Sequence, residues 1–158
     1  MTELARDLTN QARVAAGAIN GNGSVKRDVF AAALGAARAW RGSPRGWALV
    51  HLAAALRDHD ERSDALVFLD IADAQCADPE VIRAAFTCAI AIHCDDEAFE
   101  LANTLCDEQR RRMPADERFL RAEIRARKGL LDETGEQAVF EALGRAESEL
   151  RLLAVTPR

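Results

Sequence analysis

WALVHLAAALRDHDERSDALVFLDIADA, residues 47–74, decides how this chain is to be read. Leu49, Leu52, Ala53 and Leu56 recur three and four positions apart before the polar run Asp58-His59-Asp60. Ala65, Leu69 and Ala72 do the same after it. That period belongs to an amphipathic helix, and a polar turn between two such runs makes an antiparallel helical hairpin. The surrounding composition agrees. Alanine supplies about a fifth of the 158 residues, aromatic residues only 5%, and there are 9 Gly and 4 Pro. Good helix formers dominate, and the β-branched and aromatic residues that favour strands are few. A sandwich, a barrel or a doubly wound sheet is excluded as an expectation. A chain of this length is able to bury roughly 70% of its unfolded surface in one domain.

Working outward, turn signals fall at Asn20-Gly21-Asn22-Gly23-Ser24, Gly42-Ser43-Pro44, Ala77-Asp78-Pro79, His93-Cys94-Asp95-Asp96, Met113-Pro114 and Gly129-Leu130-Leu131-Asp132. Eight helices are expected between them, over 2–19, 24–41, 45–57, 61–75, 79–92, 96–112, 115–128 and 134–153. Ser24 and Ser43 suit the N-cap position. Asp78-Pro79-Glu80 places an acceptor, a proline at the first helical position and an acid in the first turn. Pro44, Pro79 and Pro114 lie 35 residues apart, and each opens a pair of helices. A fixed period with two helices per repeat indicates a solenoid, in which each hairpin buries its apolar face against the next. The expected fold is all-α, a right-handed stack of four antiparallel hairpins (2–41, 44–75, 79–112 and 114–153) in a single domain, 1–158.

Ala53, Ala65 and Ala72 are spaced 12 and then 7 apart, with Leu49, Leu52, Leu56 and Leu69 on the large apolar positions around them. In this the second hairpin resembles a tetratricopeptide repeat, where small residues let two helices approach closely. Pro79 follows two residues later than that pattern places its proline. The first hairpin keeps Ala32 and Ala39, the third needs a shift (Ala98, Ala102, Leu105), and the fourth matches at Ala122 and Gly129. The resemblance implies a concave groove that binds a peptide or protein. The subtype that clamps a carboxylate tail with Lys and Asn is not matched, since Val50 and Ala54 stand at the corresponding positions.

Chemistry-bearing motifs are sparse. Cys76, Cys88, Cys94 and Cys106 include no pair on a tight knuckle, so a zinc site from Cys88, His93, Cys94 and Cys106 is not expected. Cys88 reads as a small core residue. A chain reversal near His93–Asp96 would bring it towards Cys106 across helix axes about 8–10 Å apart. His51, His59 and His93 form no ligand or catalytic motif, and His59 sits in an acidic turn. Asp58-Asp60-Glu61-Asp64 and Asp95-Asp96-Glu97-Glu100 mark hairpin turns running into helix N-termini, where carboxylates meet the positive end of the dipole. Trp40 and Trp47 flank a glycine-containing turn and are expected to pack across a hairpin junction. No catalytic residue, metal or cofactor is expected.

The net charge of −5 argues against general attraction to nucleic acid or anionic lipid. No apolar run reaches the roughly 18 residues that span a bilayer. Met1–Asp7 offers no basic leader before an apolar stretch, from which no signal peptide and a cytoplasmic address are expected. The Arg and Ala content suggests a GC-rich bacterial source. One surface stands out. Arg118, Arg121, Arg125 and Lys128 recur at helical spacing, and Arg111, within Arg110-Arg111-Arg112, ends the preceding helix nearby. Glu117 is placed to pair with Arg121, and Glu108 with Arg111 or Arg112. The functional expectation is a non-enzymatic protein-interaction module whose basic face holds an acidic peptide or protein, with a homodimer left open. The alternative is a nucleic-acid- or phosphate-binding helical protein using the same Arg-rich face.

Overall fold

The structure is a computed structural model and describes residues 42–58 and 60–155. Six helices are present there: α1 (Ser43–Asp58), α2 (Arg62–Gln75), α3 (Pro79–Asp95), α4 (Phe99–Arg112), α5 (Glu117–Thr134) and α6 (Gln137–Val155). No strand occurs among the described residues. The helices expected over 2–19 and 24–41, their hairpin, Trp40 and His59 lie outside the described residues, so six helices stand where eight were expected. A stacked solenoid is not established by the six.

Local chemistry accounts for most boundaries. The Asp78 carboxylate accepts the Glu80 amide at 2.9 Å and caps α3 ahead of Pro79. Asp116 accepts the Phe119 amide at 2.8 Å and caps α5. The expected turn at Gly129–Asp132 is a correction: α5 runs through it and ends at Gly135. Gly135 takes the left-handed conformation (φ +65°), and its amide donates to the Leu131 carbonyl at 2.8 Å. Gly129 is a packing glycine instead. A Cβ there would run into the Phe99 ring at the start of α4.

The α1–α2 and α3–α4 turns are built alike, 37 residues apart. Asp60 and Glu97 both adopt positive φ (60° and 57°). The Asp60 amide donates to the Arg57 carbonyl and the Glu97 amide to that of Cys94, both at 3.1 Å. The next amides, of Glu61 and Ala98, reach back to Leu56 and His93 at 2.8 Å in each case. This pairing satisfies carbonyls left open at a helix C-terminus. The correspondence continues along the second helices. Ala65 matches Ala102, Leu69 matches Cys106, and the extended C-caps Cys76 and Met113 match.

The chain divides into two compact units, Met1–Cys88 and Ala89–Arg158, with the boundary inside α3. In the first, α1 packs along α2, and Leu49, Leu52, Ala53, Leu56, Ala65, Phe68, Leu69 and Ala72 are buried. The alanines and leucines quoted for the second hairpin, 44–75, are therefore all buried. In the second, the end of α3 and helices α4, α5 and α6 enclose Ile90, Cys94, Ala102, Cys106, Phe119, Leu120, Ala126 and Ala146. Helix α5 packs against both α4 and α6.

Candidate functional site

Helix α5 buries Phe119, Leu120, Glu123, Ala126 and Arg127, so its inward stripe contains an acid and a base as well as apolar residues. Glu123 is 0% exposed and receives a forked pair of bonds from Arg110 of α4, Nε to Oε1 at 2.8 Å and Nη2 to Oε2 at 2.7 Å. Arg110 also reaches Glu149 of α6 at 3.1 Å and lies over the Phe119 ring, 5.7 Å from its centroid. Arg127 donates to Asp107 at 2.7 Å, to Asn103 Oδ1 at 2.8 Å and to Glu123 at 3.0 Å. The Asn103 amide nitrogen closes the network on the carbonyls of Phe99 (2.7 Å) and Ala126 (2.8 Å).

These bonds hold both guanidiniums firmly cationic. The Arg110 pKa is raised chiefly by its hydrogen bonds to Glu123, against the opposing effect of burial. Burial works most strongly against the charge of Arg127, yet its bonds to Asp107 and Glu123 leave its pKa raised too. Three helices are thereby pinned at one point. Sequence reading placed Arg110 with the cations of a helix C-terminus and assigned Glu123 and Arg127 no place in the core. The signal was available, because both share the apolar stripe of Phe119, Leu120 and Ala126.

Beside the network lies a groove of about 540 Å³ walled by α4, α5 and α6. Leu130, Val139 and Ala142 give it apolar surface, Asn103 and Arg127 are buried at its base, and Glu100, Asp107, Glu136 and Arg145 stand around it. Charges of both signs line it.

The basic residues singled out in the sequence lie on the other side of α5, as their helical spacing requires. Arg118, Arg121, Arg125 and Lys128 are all exposed, and so is Arg111 at the end of α4. Three of them face carboxylates of the same chain: Arg121 with Glu117 at 2.8 Å, Arg125 with Asp95 at 2.9 Å, and Lys128 with Glu147 at 3.7 Å. Glu108 pairs with Arg112 at 3.8 Å. Arg111 and Arg118 make no ion pair among the described residues.

The other candidates are dispersed. Cys76, Cys94 and Cys106 are buried and Cys88 is half-buried, all as free thiols. The thiol that shares a core cluster with Cys106 is Cys94. Burial pushes the Cys106 pKa well up, more than the nearby Arg127 charge lowers it. His51 stacks on Trp47 with ring centroids 6.1 Å apart. Among the described residues no group of His, Cys, Asp and Glu is arranged to hold a metal ion, and no helix is long and apolar enough to cross a membrane. No protein-family model, no curated protein and no solved structure matches the chain.

Proposed function

We propose that the chain is a non-catalytic interaction module of tetratricopeptide-like helical hairpins, and that the basic face of α5 holds the carboxylates of an acidic peptide or protein. The observation that carries this reading is the pair Arg111 and Arg118. They bracket the α4–α5 turn, exposed and without an ion pair among the described residues, and Arg118 begins the exposed line through Arg121, Arg125 and Lys128. The ion pairs already made along that line present little obstacle. Exposed pairs of this kind contribute about 0–1 kcal/mol each, so a partner's carboxylate replaces one at small cost. Guanidiniums favour such partners because their planar fork matches a carboxylate with two parallel hydrogen bonds. The matching hairpin turns support the repeat architecture, and the Arg and Ala content favours a bacterial source.

The test replaces Arg118, Arg121 and Arg125 together with Glu. Capture of the partner from native lysate at low salt is expected to be lost while the helical circular-dichroism spectrum is unchanged. Capture that survives the reversal removes the basic face from the function. A steep salt dependence of binding to nonspecific DNA would instead favour phosphate recognition by the same residues.

A further inference from the structure

Helix α6 turns Val139, Leu143 and Ala146 inward, and residues 137, 141, 144, 148, 151 and 155 on its opposite side are exposed. That open side carries three large apolar residues, Phe140 (58% exposed), Leu152 (68%) and Val155 (81%). Between them lie the small residues Gly144 and Ser148. A Cβ on Gly144 would meet nothing within 4 Å, so packing among the described residues gives no reason for a glycine there. Mid-helix, glycine is a poorer choice than alanine.

We propose that this face is a homodimer interface, on which α6 of one copy packs antiparallel against α6 of a second copy. The charge pattern selects that occupant. Positions 137, 141, 144, 148, 151 and 155 alternate in steps of four and three, the spacing of a helix–helix seam. They are also symmetric about Ala146: 144 mirrors 148, 141 mirrors 151, and 137 mirrors 155. A two-fold axis at the level of Ala146 therefore sets Gly144 against Ser148 of the second copy, where small side chains let the axes come close. It sets Glu141 against Arg151 of the second copy, and does so twice. Gln137 meets Val155. Phe140 and Leu152 flank the seam on opposite sides, so each border gains an apolar cover.

The bonds these residues make within the chain are long and exposed. Gln137 donates to Glu141 at 3.3 Å, and Arg151 stands 3.9 Å from Glu147. Opposed helix directions also place unlike dipole ends together. A parallel pair would align Glu141 with Glu141 and Arg151 with Arg151, and is disfavoured by like-charge repulsion.

Sedimentation analysis of the full chain over a range of concentrations tests the interface. The parent is expected to be a dimer in equilibrium with monomer. Glu141→Arg and Arg151→Glu are each expected to weaken association by about tenfold or more, and the double exchange to restore it. Gly144→Leu, at an exposed position, is expected to give monomer with an unchanged helical spectrum. A parent that stays monomeric, a double exchange that fails to recover, or a Gly144→Leu chain that still dimerises would each overturn the proposal. Arg151 shares Glu147 with Lys128 of the basic face, whereas Gly144→Leu and Glu141→Arg alter no residue that pairs with that face, so these two variants let the two surfaces stand or fall separately.

Discussion

Gln109 holds the position in α4 that Ala72 holds in α2, 37 residues earlier, and it is 0% exposed. Neither of its amide atoms has a hydrogen-bond partner. A buried amide without partners costs about 1–3 kcal/mol, and Met fills a similar volume without polar atoms to satisfy. Gln109→Met is therefore expected to raise stability by about 1–3 kcal/mol in urea denaturation. An unchanged midpoint would show that the amide is satisfied in solution. Cys106 makes a second residue-level prediction, with a sign set by its raised pKa. The folded chain keeps that proton after the unfolded chain has lost it. Stability from this group is complete below the ordinary thiol value of about 8.5 and falls as pH rises above it. The unfolding midpoint should decline from pH ~8 to pH ~10, and Cys106→Ala should flatten that decline.

At the scale of the element, the two glycines near the end of α5 have opposite duties. Gly135 terminates the helix because it accepts a left-handed conformation, whereas Gly129 is crossed by the helix and makes room for the Phe99 ring. Gly129→Ala improves helix propensity by about 1 kcal/mol, yet it forces the ring aside in a packed core. The steric effect is expected to win, with a net loss of about 1–3 kcal/mol in thermal or chemical unfolding. A stabilised variant would mean that Phe99 has room to rotate away. The hairpin turns obey a simpler logic. Asp60 and Glu97 take the left-handed position that glycine usually holds, and the same two backbone bonds close each turn. Turn position was legible in the acidic runs around these residues. The proline interval does not track the helix starts: Pro79 is the first residue of α3, whereas Pro114 precedes α5 by three residues, so those two helices begin 38 residues apart.

At the scale of the whole molecule, the second unit depends on a carboxylate of α5 whose bonds reach beyond its own helix. Glu123 binds two guanidiniums, and Arg110 carries the connection on to Glu149 of α6. Removing one member of a buried ion pair leaves a desolvated charge, which costs about 3–5 kcal/mol. Glu123→Ala should destabilise the protein by that order and disturb the groove, whose base includes Arg127. An exposed control, Glu117→Ala, removes a surface pair and should cost no more than about 1 kcal/mol. Equal losses in the two variants would show that the network adds nothing beyond surface attraction.

The sequence by itself determined the helical class and the positions of the six described helices to within a few residues at most ends. It also placed the basic line on one face of α5. These properties are local: the 3.6-residue period, the Asp78-Pro79-Glu80 start and the polar turns act over one or two turns of chain. Tertiary structure alone decided which charges are surface and which are core. Arg110, Arg111 and Arg112 are indistinguishable in sequence, yet only Arg110 finds Glu123 and Glu149, supplied from 13 and 39 residues away. It likewise decided that Gly129 is crossed and Gly135 ends the helix, because Phe99 lies 30 residues before the glycine it packs on. A polar group or a glycine acquires its role from the atoms brought opposite it, and those come from other helices.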